Sequence, residues 1–318
     1  RNKRSVVLDM KQEADKELAR ELARKADVIV ENFRPGVMAR LGLGYEAIAA
    51  ENPRIVYAAM SGLGATGPLS EKGAFDLTIQ AEGGYMSITG ERNGAPIKLG
   101  TSAFDLVCGQ YAMSAIATAL FDRERTGKGQ LIETSLFESE ITYLMDAGMQ
   151  YLTTGESKGK WGSEHAQLVP YKAFQAADGW VVIGAGVQNL FERFLQVIGR
   201  TDLLADPRFA DVKARVANRD EVHKILDAEV RRFKVAEIVG KLDAARVPCS
   251  PINNMEQVFT HPQALHRGMV QKVAHADYGE VNLIGPAVKY GGFDIAADWS
   301  APPLLGEHND AVKRDWLG

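Results

Sequence analysis

Apolar and polar positions along the chain fall into short β-branched runs separated by amphipathic stretches. Residues 5–8 read as the end of a strand, and 13–25 as an amphipathic helix that turns Leu18 and Leu22 inward. A short strand at 28–30 runs into Glu-Asn-Phe-Arg-Pro-Gly. Pro35 can only begin a helix, because it lacks a backbone N–H, so a short helix is predicted at 38–41 and another at 45–50. Residues 55–59 give the next strand. After Asp105, Leu106, Met113, Ile116, Ala117 and Leu120 recur at helical spacing as far as Arg125, and Gly127-Lys128-Gly129 stops the pattern. Residues 131–136 then alternate as a strand and 137–152 return to helix.

Short strands alternating with helices predict a parallel sheet covered on both faces, a Rossmann-like α/β arrangement. Sheets of this kind bind ligands beyond the carboxyl ends of their strands, which singles out residues 32–34 and 61–67. Residues 153–163 are polar and glycine-rich and mark a linker. Beyond them, 171–174 and 180–183, joined by Ala-Ala-Asp-Gly, predict a hairpin that opens a smaller α+β domain. Helices follow at 190–198, 219–233 and 235–245, a strand resumes at 281–283, and 301–308 ends in a short charged helix. The expected division is a large α/β domain over 1–160, a small α+β domain over 161–285, and a segment over 286–318 that returns to the large domain.

With 318 residues, 46% hydrophobic and 25% charged, the chain can bury a sizeable core. A net charge of −4 and no long basic face argue against nucleic acid as the main partner. The two cysteines, Cys108 and Cys249, are too few for a disulfide framework and fit a reducing cytoplasm. No uninterrupted run approaches the roughly 18–20 apolar residues of a membrane span, and the chain opens without a secretory signal.

Asp105 stands where an N-cap belongs. There it faces unpaired N–H groups and the positive end of the helix dipole, which favour its ionised form and fix its direction. Capping alone is the plain alternative to a chemical role. Gly109, one turn on, costs about 1 kcal/mol against Ala unless a ligand or packed partner comes close. Cys108 reads as a small buried residue or as a thiolate nucleophile. Gly62-Leu63-Gly64-Ala65-Thr66-Gly67 follows a strand and matches G-x-G-x-x-G. Pro68 and Gly73, however, leave no room for the helix that would hold a pyrophosphate. The six histidines show no metal-ligand spacing, and no G-x-S-x-G elbow is present.

Asn2-Lys3-Arg4-Ser5, Leu8-Asp9-Met10-Lys11, the run from Ala26 to Gly36, Gly62 to Pro68, the Asp105 stretch and Leu305-Gly306-Glu307-His308 resemble the class III CoA-transferases, those like formyl-CoA transferase and carnitine-CoA transferase. The likeness spans nearly the whole chain. It implies a cytoplasmic acyl-CoA:carboxylate CoA-transferase that forms an aspartyl-CoA intermediate, with no metal, and whose homodimer is interlocked. The family's nucleophile falls on Asp105, and its coenzyme A contacts fall on Leu8, Lys11, Asn32, Phe33, Ala39, Arg40 and Phe75. Aspartate suits the role because it is already ionised at neutral pH and needs no general base. Phe75-Asp76 replaces the transferases' Tyr-acidic pair and the His-Asp of the related α-methylacyl-CoA racemases. Phe75 cannot exchange a proton, which disfavours the racemase alternative. A non-catalytic CoA-binding subunit and a nicotinamide oxidoreductase are the remaining alternatives. Gly162-Ser163-Glu164-His165 occupies the place of the family's mobile loop. Family members usually carry further residues ahead of the point matching Arg1, so the N-terminal part of the large domain is expected to be lacking.

Overall fold

The computed structural model describes all 318 residues. The chain divides into two compact units, one formed by Arg1–Thr89, Pro96–Gly159 and Gln271–Gly318, the other by Gly90–Ala95 and Lys160–Val270. Residues 271–285, placed by the sequence reading with the smaller domain, group with the first unit, and the hairpin they complete (Val270–His275 with Gly279–Ile284) is a two-stranded sheet of its own.

The first unit is built on three parallel strands, β1 (Val28–Glu31), β2 (Val56–Ser61) and β3 (Gln130–Ser135), adjacent in that order. Val28 lies opposite Val56, and Ser61 opposite Ser135, so β2 and β3 end level with each other. Val56, Tyr57 and Ala58 of the central strand are buried, as a parallel strand covered on both faces requires. Helix α1 (Glu13–Lys25) precedes β1, while α2 (Val37–Arg40) and α3 (Tyr45–Glu51) connect β1 to β2. Three more, α4 (Asp76–Glu82), α5 (Tyr85–Ile88) and α6 (Ala103–Thr126), lead to β3, and α7 (Leu136–Tyr143) and α8 (Met145–Thr154) follow it.

Helix α6 buries Phe104, Cys108, Ala112, Ala119 and Arg123, whose spacing puts them on one face, toward β2, β3 and α7. Phe104 packs edge-on against Tyr85 at 4.9 Å. At the far end the Arg123 guanidinium donates to the Asp27 carboxylate at 3.0 Å and to the carbonyls of Asp27 and Arg54 at 3.3 and 3.1 Å. This anchors the end of α6 to the loops that enter β1 and β2. Gly127, at φ +73°, closes the helix, and a Cβ on Gly129 would run into the Ile55 carbonyl.

Several expectations change. Residues 5–8 form no strand: the Ser5 carbonyl accepts from the His308 N–H at 3.0 Å and the Val7 N–H donates to Asn309 Oδ1 at 2.9 Å, so C-terminal turns replace a sheet partner. The helix expected over 137–152 breaks at Leu144 into α7 and α8. By length and mean hydropathy α6 meets the measure of a bilayer-crossing segment, because small residues raise its average without an unbroken apolar run.

In the second unit β4 (Tyr171–Gln175) and β5 (Trp180–Gly184) form the expected hairpin, and β6 (Cys249–Pro251), unforeseen in so short a polar stretch, joins β5 antiparallel. Helix α9 (Gln188–Ile198) inserts Phe191, Phe194, Leu195 and Ile198 into the core shared with α10 (Val212–Ala217), α11 (Arg219–Val230) and α12 (Val235–Ala244). Two short helices, α13 (Met255–Phe259) and α14 (Pro262–His266), close this unit. Arg215 is fully buried, and its guanidinium is matched by the carbonyls of Val169, Gly186 and Phe209 and by Gln188 Oε1 at 2.7–3.2 Å.

Candidate active site

Beyond the carboxyl ends of β1, β2 and β3 lies a cavity of about 550 Å³. Asn32, Phe33 and Arg34 line it from the loop after β1, and Met60, Ser61 and Gly62 from the end of β2. Lys72, Phe75 and Asp76 approach from the turn into α4, and Asp105, Cys108 and Gly109 from the opening turns of α6.

Asp105 is the third residue of α6; Ser102, not Asp105, holds the N-cap position, and its side chain makes no capping bond. The capping role is taken by Asp76. Its buried carboxylate accepts from the Phe104 N–H at 2.8 Å and from Gln80 Nε2 at 2.5 Å, while Gln80 Oε1 accepts from the Leu99 N–H at 2.8 Å. Asp76 thus supplies, from another helix, the oxygen and the negative charge that the start of α6 favours. The network fixes the backbone one residue before Asp105.

With its backbone held, the Asp105 side chain stays free: it is exposed at the cavity and accepts no hydrogen bond from the chain. The protein packed around it, and then the negative charge of Asp76, push its pKa above the ordinary aspartate value. This corrects the sequence expectation of a capping carboxylate whose charge and direction are fixed by N–H donors. Lone pairs left free of donors remain available to a carbon electrophile. Cys108 is only 1% exposed, and burial pushes its thiol up, so it serves as a packed core residue rather than a thiolate.

Glu140, on α7, is fully buried beneath the α4–α5 junction, where the bare Cα of Gly83 makes room for it. Its Oε1 accepts from the Tyr85 N–H at 3.1 Å, and Oε2 has no partner. Burial, then the Asp76 charge, raise its pKa from 4.5 to about 7. The folded protein therefore holds this proton more tightly than the unfolded chain, and stability falls as pH climbs from the ordinary carboxyl range through about 7. Glu140→Gln, which keeps the acceptor for Tyr85, is expected to stabilise the protein by on the order of 2 kcal/mol near pH 8 and by much less near pH 5. Paired denaturant titrations of both proteins at the two pH values measure the difference.

Asn32, Phe33 and Phe75 join Asp105 at the cavity. Asn32 Nδ2 donates to the Met60 carbonyl at 3.1 Å, coupling the ends of β1 and β2. Phe33 and Phe75 are 55% and 81% exposed, two rings held in the open rather than in the core. Leu8 and Lys11, ahead of α1, and Ala39 and Arg40, on α2, lie outside the cavity lining. Two cations line the cavity: Arg34, singled out in the sequence with Asn32 and Phe33 and forming no ion pair, and Lys72, paired to Glu82 at 2.5 Å, which the sequence reading missed. Gly62–Gly67 is a loop with no helix before Asp76, in keeping with the expectation that no pyrophosphate-holding helix follows it, and His165 is exposed in the second unit.

Residues 1–309 match CoA-transferase family III. The chain belongs to this family. It shares 36% identity over 317 residues with the human succinyl-CoA:glutarate CoA-transferase, covering 100% of this chain and 72% of that enzyme. It shares 38% over 317 residues with the acetyl-CoA:oxalate CoA-transferase of Acetobacter aceti, covering 99% of this chain and 80% of the relative. Among solved structures, a CaiB/BaiF family protein from Brucella suis superposes with a TM-score of 0.92 at 35% identity, over 99% of this chain and 82% of that one. This family III CoA-transferase is thus an enzyme acting on CoA thioesters, with the mixed α/β fold and parallel sheet of the CaiB/BaiF proteins.

Proposed function

We propose that this CoA-transferase moves CoA from an acyl-CoA to a carboxylic acid through a covalent intermediate on Asp105. What carries the reading is a single observation: an exposed carboxylate without hydrogen bonds, on a fixed helix turn, in the cavity beyond three parallel strand ends. An Asp105 oxygen attacks the thioester carbonyl, the C–S bond breaks, and CoA leaves as a thiolate from a mixed anhydride. The thiolate then attacks the aspartyl carbonyl, expelling the donor acid as its carboxylate and leaving an aspartyl-CoA thioester. The acceptor carboxylate repeats the two steps in reverse, regenerating acyl-CoA and the free Asp105. Every leaving group is an anion, so no proton has to be moved. Covalent retention of CoA spares the second transfer a fresh encounter.

Asn32, Phe33 and Phe75 would hold the pantetheine end of CoA, and Leu8, Lys11, Ala39 and Arg40 its nucleotide end outside the cavity, with Lys11 and Arg40 on phosphates. Arg34 and Lys72 can pair with the far carboxylate of a dicarboxylic acid, the class named in the glutarate and oxalate relatives. Chromatographic assay of succinyl-CoA or acetyl-CoA with a panel of mono- and dicarboxylates tests this. New acyl-CoA should form with dicarboxylates in preference to monocarboxylates of equal length. Transfer to none of them would end the reading, as would α-proton exchange into deuterated water without an acceptor, which a racemase would give.

A second copy is the natural cover for the outer face of α6, where Leu106, Met113 and Phe121 are 61%, 65% and 72% exposed. The wild-type protein is expected to run as a homodimer in light-scattering chromatography. Phe121→Glu should shift it toward monomer at micromolar concentration, whereas an unchanged mass would place the interface elsewhere.

A further inference from the structure

Gly109 sits four residues after Asp105 on α6, about 6 Å further along the axis and on the same face, and both line the cavity. A glycine inside a helix is destabilising relative to Ala, so its presence calls for something that a methyl group would obstruct. The fold supplies no such obstacle: a Cβ built on Gly109 meets no protein atom within 4 Å. By contrast, Gly129, just beyond the end of α6, is demanded by the neighbouring Ile55 carbonyl, and Gly240, on α12 with open space around it, is exposed outside this cavity. The room at Gly109 therefore belongs to whatever enters the cavity. Cys108 beside it is walled into the core, so the open side of this turn is the side that Asp105 faces.

We propose that Gly109 sets the size of the acyl group that the enzyme accepts, by leaving a methyl-sized space next to the nucleophile for the chain of the bound thioester. The proposal rests on Asp105 being that nucleophile. An acetyl group carries a single methyl beyond the carbonyl under attack and stops short of the space, whereas a succinyl-sized chain continues into it. Replacing Gly109 by Ala should then stabilise the protein and at the same time narrow its donor range, two effects that no purely structural glycine would combine.

The test compares wild type, Gly109→Ala and Asp105→Asn for melting temperature and for kcat/KM with acetyl-CoA and succinyl-CoA. The expected result for Gly109→Ala is a higher melting temperature, acetyl transfer within about twofold of wild type, and succinyl transfer reduced roughly tenfold or more. A lower melting temperature would show that the folded protein itself needs the glycine and would overturn the proposal. So would equal loss for both donors, no loss for either, or a lost dimer mass, which would assign the space to a partner chain. Asp105→Asn separates the two levels: if it is inactive while Gly109→Ala treats both donors alike, only the size proposal fails, and if it retains activity the nucleophile reading fails first.

Discussion

Asp105→Asn is expected to lose at least about a thousandfold in kcat while its affinity for CoA thioesters stays close to wild type. The amide has the size of the carboxylate but no anionic oxygen to form the anhydride. The wild-type side chain makes no hydrogen bond to the rest of the chain, so the exchange removes no internal partner and should leave the melting temperature nearly unchanged. A double readout by steady-state kinetics and calorimetric titration with a non-reactive CoA thioether checks it. Slow turnover with tight binding supports the assignment, and weakened binding with modest loss of turnover would make Asp105 a contact instead.

Asp76→Ala should act on both the fold and the chemistry. The variant strands two buried donors, the Phe104 N–H and the Gln80 amide, which cannot turn away because Gln80 Oε1 is committed to the Leu99 N–H. Each orphaned donor costs about 1–3 kcal/mol, so a loss on the order of 3 kcal/mol is expected. Asp76→Asn is the sharper probe, since it preserves shape but sets its own NH₂ against that of Gln80. It also removes a negative charge that helps raise the pKa of Asp105. Transfer needs ionised Asp105, so the acid limb of the kcat/KM profile should move to lower pH in Asp76→Asn. Denaturant unfolding and the pH profile report the two effects separately, and an unmoved acid limb would remove Asp76 from the electrostatics of the site.

Much of the first unit was legible in the sequence because its signals are local. Helix α1 is marked by its amphipathic period, the strands by β-branched runs, and the end of α6 by Gly127. The start of α6 was misplaced for a physical reason. The side chain that satisfies its first turn, Asp76, lies 28 residues upstream from Phe104, and no pattern around Asp105 reports it. The same holds for residues 5–8, whose hydrogen bonds are answered some 300 residues later, and for β6, a strand defined by its neighbour rather than its own three residues. The site was readable in its chemistry: Asp105, Asn32, Phe33 and Phe75 share the cavity. Its charge was legible only in part: Arg34 stood out at a strand end, but Lys72 lies in a polar turn with no periodic signal, and nothing in the sequence of α7 reports the burial of Glu140.

The central claim is that Asp105 becomes covalently bonded during transfer, and peptide mass mapping after borohydride reduction tests it most directly. Enzyme mixed with acyl-CoA and no acceptor acid, then reduced, should yield a peptide in which Asp105 has become the alcohol homoserine, absent when acyl-CoA is omitted. Recovery of that peptide unmodified, from enzyme shown to transfer CoA at its full rate under the same conditions, would contradict the account.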